Sequence, residues 1–273
     1  MISGLPQYAE VPPGRALLPY VQCYWSIRAT AAPSFFNRVC PDGCADVIVD
    51  LAATLPGTGC VEGQCTYAVG TMQQASCIEL AGTVDLLGVR FRPGAAERFF
   101  RLPMHELTDR VVPLSDIWNG AAGLEQTVRE ARLESDRVRQ FEGALLRRLR
   151  RTSEPAATLR RAIRFIGHTG GTRPVRELEQ AVGAGARQLE RQFRNGLGVT
   201  PKLFSRVVRF RRALGLMRRR GPVSWSRLAA EAGYYDQAHL IREVRALAGT
   251  TPAQLAAESR EVGFVQYESD VPL

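Results

Sequence analysis

The side chains best suited to recognising another molecule are arginines on two short, similar stretches. Arg187, Glu190, Arg191 and Arg194 flank the apolar pair Leu189 and Phe193, and Arg242 and Arg245 flank Leu240 and Val244 in the same way. A guanidinium donates two parallel hydrogen bonds to a guanine edge and neutralises phosphate, so arginines recurring on one helix face suit major-groove entry. Gln237 and His239, just ahead of Leu240, can also reach base edges. The second reactive group is thiol: Cys23, Cys40, Cys44, Cys60, Cys65 and Cys77 all fall in the first 80 residues. A zinc site needs four convergent ligands. Cys40 and Cys44 have no second close pair with two intervening residues; Cys60 and Cys65 are the nearest. The expectation is buried cysteines acting as small apolar filler, kept reduced, with no metal and no cofactor. A thiol redox sensor is the alternative.

Catalytic chemistry has no comparable pattern. The chain carries no Gly-rich phosphate loop, no Gly-x-Ser-x-Gly elbow and no His-Glu-x-x-His, and His105, His168 and His239 are scattered. An enzyme is not expected.

The elements that must position the arginines form a repeat. Val175-x-x-Leu178-x-x-Ala181-Val182-Gly183 is followed by Leu189-x-x-x-Phe193 and Gly198-Val199-Thr200-Pro201. Trp225-x-x-Leu228-x-x-Glu231-Ala232-Gly233 is followed by Leu240-x-x-x-Val244 and Gly249-Thr250-Thr251-Pro252. The offset is 50 residues before the central turn and 51 after it, as one inserted residue would give. Each copy reads as helix, Gly-containing turn, helix, the helix-turn-helix layout. Breaks at Gly170-Gly171, Gly183 to Gly185, Gly196 to Gly198, Gly221-Pro222, Gly233 and Gly249 predict seven helices over 155–258.

Charge divides the chain in the same sense. Residues 1–120 carry 8 Arg against 11 Asp and Glu, a net −3, whereas 121–273 carry 28 basic and 16 acidic residues, a net +12. Within 155–258 there are 19 basic and 7 acidic residues, as expected of a polyanion-binding half. No apolar run is long enough to span a membrane, and the N-terminus lacks the pattern of a secretion signal, so a cytoplasmic protein is expected.

The acidic half reads as short strands: Val21–Ile27, Cys44–Leu51, Cys77–Leu80 and Val84–Phe91, with a helix over Ala95–Leu102. That predicts a mainly β domain, an antiparallel sandwich or small barrel with added helices. Arg90 and Arg92, on one strand face, are expected to pair with Asp42, Asp46 or Asp50, with anion binding the alternative, and Tyr20, Tyr24, Trp25, Phe35 and Phe36 to fill the core or line a pocket. Beyond residue 114 the apolar period becomes helical, through Leu124, Val128, Val138, Phe141, Leu145 and Leu149. That stripe would pack on its own β domain or pair two subunits as a homodimer. The expected division is 1–120 β-rich regulatory or association domain, 121–154 helical linker with a hinge at Thr152–Pro155, 155–258 helix-turn-helix domain, and 259–273 tail.

Ala232-Gly233-Tyr234-Tyr235-Asp236-Gln237-Ala238-His239-Leu240-Ile241-Arg242, with Ala248-Gly249-Thr250-Thr251-Pro252, resembles the second helix-turn-helix signature of the AraC/XylS family of transcriptional regulators. Arg187 to Phe193 with Gly198 to Pro201 is similar to that family's first unit, and Phe204 to Arg219 to its linking helix. Departures are Leu240 and Val244 where aromatics are commoner, and apolar Ile241 where a polar contact is usual. The resemblance implies seven helices, with two recognition helices held in successive major grooves of double-stranded DNA, about 34 Å apart. By matched position, Arg187, Glu190, Arg191, Gln237, His239 and Arg242 are the base-facing residues, and Arg194 and Arg245 are assigned to phosphate.

The front half, through Pro41–Asp46, Asp85–Gly94 and Leu107–Leu114, resembles the small domain found ahead of some AraC-type modules. The resemblance implies a sequence-specific transcription factor that recruits or places RNA polymerase, regulated through a small-molecule effector or association. Because some such modules are fused to a zinc-bound, methyl-accepting cysteine domain, an alkylation-repair methyl acceptor with regulatory output is the rival reading. A nonspecific DNA-packaging protein is the second.

Overall fold

The computed structural model describes residues 6–53, 55, 65–150, 156–220 and 224–261. The expected hinge at Thr152–Pro155, the Gly221-Pro222 break and most of the 259–273 tail lie outside them.

Among the described residues the front half forms one six-stranded antiparallel sheet, β1 (Gln7–Val11), β2 (Val21–Val39), β3 (Ala45–Asp50), β4 (Thr66–Val69), β5 (Ser76–Phe91) and β6 (Val111–Pro113), in the order β1-β2-β5-β3-β4-β6. The long pair β2 and β5 runs from Val21 opposite Phe91 to Val39 opposite Ser76. Two separate strands were expected where β5 is continuous. The intervening Gly82 takes a positive φ of 71° beside register shifts in β2, so the turn signal is absorbed as an irregularity of the ladder. Helix α1 covers only Glu97–Phe100, shorter than the expected span. Arg101 ends it in the left-handed region, and Pro103 disfavours helix in the residue before it.

Both sheet faces are buried, and strand alternation sorts the residues between them. Leu87, Val89 and Phe91, with Ala45, Val47 and Val49, join Tyr24 and helices α2 (Ala121–Glu130) and α3 (Glu134–Leu149) in one core. The stripe Val138, Phe141 and Leu145 is covered from within the chain, with the Phe141 ring 6.3 Å from that of Tyr24. Trp25, Ile27, Leu80, Val84 and Leu86 form a cluster on the opposite face.

The basic half is helical: α4 (Ala157–His168), α5 (Val175–Val182), α6 (Ala186–Leu197), α7 (Pro201–Arg220), α8 (Trp225–Ala232), α9 (Gln237–Ala248) and α10 (Pro252–Glu261), the seven helices expected. The duplication is visible element by element. α8 follows α5 by 50 residues at both ends, and α9 follows α6 by 51. The inserted residue sits in the turn, three residues long in the first copy (183–185) and four in the second (233–236).

Each copy has its own core. Leu159, Ile163, Leu178, Leu189, Phe193 and Phe204 build the first; Phe210, Leu214, Leu228, Leu240, Val244 and Leu247 build the second. Helix α7 serves both, giving Phe204 and Val208 to one and Val207, Phe210 and Leu214 to the other. Its 20 residues span about 30 Å at 1.5 Å per residue.

Candidate nucleic-acid interface and inner cavity

Helices α6 and α9 each bury one side and expose the other. Leu189 and Phe193 are fully buried, and so are Leu240 and Val244, each pair one turn apart. This leaves Arg187, Glu190, Arg191 and Arg194 exposed on α6, and Gln237, Arg242 and Arg245 exposed on α9. Arg191 and Arg242 occupy equivalent positions in helices of equal length, as do Arg194 and Arg245.

His239 differs from the other residues singled out. It is half-buried, its ring stands edge-on to Tyr234 at 5.3 Å, and its Nδ1 lies 3.4 Å from the Tyr235 amide that donates to it. Its backbone N–H donates to Asp236 Oδ1 at 2.6 Å, the side-chain cap that starts α9. Half-buried Ile241 lies between the buried and outer faces. Tyr235, 93% exposed in the turn before α9, was not selected from the sequence as a contact residue. A large exposed aromatic in that place was legible within the motif only as a type, because the pattern does not show which of two adjacent tyrosines is buried. Tyr234 is the buried one, its ring under the Arg209 guanidinium at 5.4 Å.

The front domain meets the helical half at the C-terminal ends of both of these helices. Thr108 Oγ1 donates to the carbonyl of Gly198, the residue that caps α6, at 2.7 Å. The Ala75 N–H donates to Leu247 O near the end of α9 at 2.8 Å, and Arg38 Nη1 donates to Ala248 O at 2.9 Å. Arg38 also pairs with Glu258 of α10 at 2.8 Å. Between these grips, Gly43, at a φ of 81°, lies flat under the Phe204 ring; a Cβ there would stand 2.6 Å from the ring edge. Cys40 completes the core of the second copy.

The second sheet face lines a partly open cavity of about 290 Å³. Its wall is mostly apolar, including Trp25, Ile27, Ile48, Leu80 and Leu86, with Asp42, Asp46 and Arg90 at a polar end. Gly88 lets the Trp25 indole lie on the neighbouring strand, since a Cβ there would meet the ring at 2.2 Å. So placed, Trp25 Nε1 donates to Asp46 Oδ1 at 2.8 Å. Arg90 is 2% exposed, its Nε 3.6 Å from Asp42 and 3.4 Å from Asp46. The expected pairing thus holds for Arg90 with Asp42 and Asp46, whereas Arg92 Nε donates to the Leu18 carbonyl at 2.8 Å. Asp50 instead accepts from the Ala52 and Leu55 amides.

Burial pushes the Asp46 carboxyl up to about 6, with Asp42 adding to the shift and Arg90 opposing it. Burial also works against the Arg90 charge, but Asp46 and Asp42 outweigh it and hold the guanidinium above its usual range. Of the candidate aromatic lining, Trp25 faces the cavity, Tyr20 and Tyr24 belong to the other core, Phe36 is exposed, and the Phe35 side chain is not among those described.

Cysteines take separate places rather than one. Cys40 is in the helical core, Cys44 and Cys77 line the cavity, and Cys23 is packed beside Trp25. Cys65 is disulfide-bonded, against the expectation of reduced thiols, while Cys23, Cys40, Cys44 and Cys77 form no disulfide. Burial raises the Cys23 thiol to about 12 and raises Cys44 as well, and a thiol held protonated is a weak nucleophile and metal ligand.

Residues 178–258 match a family described as a helix-turn-helix domain, and residues 9–113 match one described as a domain of unknown function. No curated protein matches the chain by sequence. Among solved structures, ToxT from Vibrio cholerae is similar at 11% identity and a TM-score of 0.43, over 86% of this chain and 96% of its own. A probable AraC family transcriptional regulator from Rhodopseudomonas palustris is 21% identical at a TM-score of 0.34, over 38% of this chain and 98% of its own. The xylose-binding transcription activator xylR is 17% identical at a TM-score of 0.34, over 45% of this chain and 39% of its own. Among the described residues no helix is long and apolar enough to cross a membrane.

Proposed function

With residues 178–258 a helix-turn-helix domain of the AraC type, we propose that the protein is a sequence-specific transcription factor that sets α6 and α9 in successive major grooves of one DNA face. The observation that carries this reading is the repeated arginine pair, Arg191 with Arg194 and Arg242 with Arg245, exposed in register on two equal helices joined through α7. Arg187, Glu190, Arg191, Gln237 and Arg242 read base edges; Arg194 and Arg245 hold phosphates. His239, whose ring is engaged with Tyr234 and the Tyr235 amide, takes the smaller share, and Tyr235 joins the contact set. Regulation passes through the front domain. The segments that bound the inner cavity, Val39 to Cys44 and Met72 to Cys77, are those that touch α7 and α9. A small molecule in the cavity therefore acts on the grip at the end of α9 and on α7, the helix that joins the two units. RNA polymerase is the downstream partner, and no catalytic step is assigned.

The placement of the cysteines supports this reading over zinc-dependent methyl acceptance, because Cys40 packs in the helical core whereas Cys44 lines the cavity. The test is selection of sheared genomic DNA on the full-length protein at about 150 mM salt, where nonspecific binding is weak. A motif of two contact blocks about one helical turn apart is expected. Binding without sequence preference would instead make the protein a DNA-coating one.

A further inference from the structure

The polar end of the inner cavity carries more negative than positive charge, and that imbalance selects a class of ligand. Asp42 and Asp46 share the single guanidinium of Arg90 there. The other charged groups acting on this cluster are Glu10, which accepts from Tyr8 beside it, and Arg211 of α7, which acts on Cys44. In the cavity wall two carboxylates thus face one guanidinium, and with Glu10 and Arg211 counted three carboxylates and two guanidiniums act on the cluster. Asp46 is held by Trp25 and Asp42 by the Cys44 amide at 2.8 Å, so both carboxylates are fixed in place.

A carboxylate ligand entering this end would meet Arg90 only alongside two acids that already occupy it. A protonated amine would instead complete the charge balance in a poorly solvated site, where such terms are large. The remaining wall, Trp25, Ile27, Ile48, Leu80 and Leu86, suits a flat or branched apolar body. The volume, equal to about ten water molecules, limits that body to one or two rings.

We propose that the cavity binds a small organic amine, its apolar body against Trp25 and Leu86 and its ammonium group against Asp42 and Asp46. This rests on the reading of the cavity as the effector site and deepens it.

The experiment is calorimetric titration of the full chain with tryptamine, tryptophol and indoleacetate, which share a body and differ in the end group, and with indole as the bare body. Tryptamine is expected to bind at least about tenfold more tightly than indoleacetate. Repeating the titrations at roughly pH 5 and pH 8 needs no variant. Protonation of Asp46 below about 6 removes the excess charge, so the preference for the amine shrinks as pH falls. Asp46→Asn, which can keep the Trp25 hydrogen bond, is expected to bring tryptamine and tryptophol within about threefold of each other at pH 8. Indoleacetate binding as tightly as tryptamine, or tighter, would overturn the amine while leaving the cavity as the effector site. The same holds if indole or tryptophol binds and tryptamine does not. Failure of all four to bind would overturn both.

Discussion

Arg191 and Arg242 matter because of what their equivalence demands. Residues at matched positions of two equal helices should do matched work, so Arg191→Ala and Arg242→Ala are each expected to cost about 1–3 kcal/mol and relax one base position. Arg194→Ala or Arg245→Ala should weaken all sequences alike and lower the salt slope by about one. Competition binding at several salt concentrations separates the two behaviours; uniform weakening by Arg191→Ala would reassign it to phosphate. Asp46 gives a prediction for stability. Its folded-state value of about 6 lies above the ordinary 3.8, so the folded state binds the proton more tightly than the unfolded chain does. This group therefore favours folding most at low pH, and its contribution is lost as pH rises through about 6. Denaturant unfolding of Asp46→Asn should show a flatter pH profile than the parent over that window. At this scale the sequence was informative where chemistry pairs opposites: Arg90 between two aspartates could be foreseen, because a buried guanidinium requires carboxylates. The engagement of His239 could not, because a ring contact with Tyr234 depends on the path of the turn that leads into α9.

Helices α6 and α9 are alike in length but start differently. Asp236 caps α9 with its side chain, whereas Gly185 precedes α6 with no side-chain cap. Asp236→Ala is expected to cost about 1 kcal/mol of stability and to loosen the first turn, where Gln237 sits. Urea unfolding measures the first effect and protection of the α9 amides from exchange the second. Phe193→Ala, by contrast, removes a fully buried ring lying 6.0 Å from that of Phe204, at a cost of about 3–5 kcal/mol. The helical half was largely legible, since its apolar spacing is local and glycines such as Gly198 and Gly249 stop helices in the left-handed region. The sheet was less so. Both faces of β3 are buried, which erases the apolar–polar alternation that marks a half-exposed strand. The register of β2 on β5 joins residues far apart in sequence, and a turn signal at Gly82 carries no mark that tells a strand end from an irregularity.

The contact between the two halves was not legible, because apart from the Glu258 carboxylate that Arg38 meets its acceptors are main-chain carbonyls, which every residue possesses. Gly198, Leu247 and Ala248 reveal nothing in their side chains of the donors Thr108, Ala75 and Arg38 that hold them. Each such bond contributes about 0.5–1.5 kcal/mol, so the grip is firm enough to orient and weak enough to be shifted by a ligand. Gly43→Ala places a methyl against Phe204 at a backbone angle that disfavours side chains. It is expected to loosen the join, measured as faster proteolysis between the halves with the helical half still folded. The grip has a further consequence for the DNA. On the proposed reading, holding α6 and α9 by the ends away from Asp236 and Gly185 makes the front domain a caliper with two jaws. Operators whose contact blocks are spread by one or two extra base pairs should be rejected by the intact chain, although each block keeps its sequence. The paired substitution Thr108→Val with Arg38→Ala loosens both jaws, leaving the Ala75 amide on α9, and should let such stretched operators bind more readily, so that the front domain sets the length of the address and the arginines its letters.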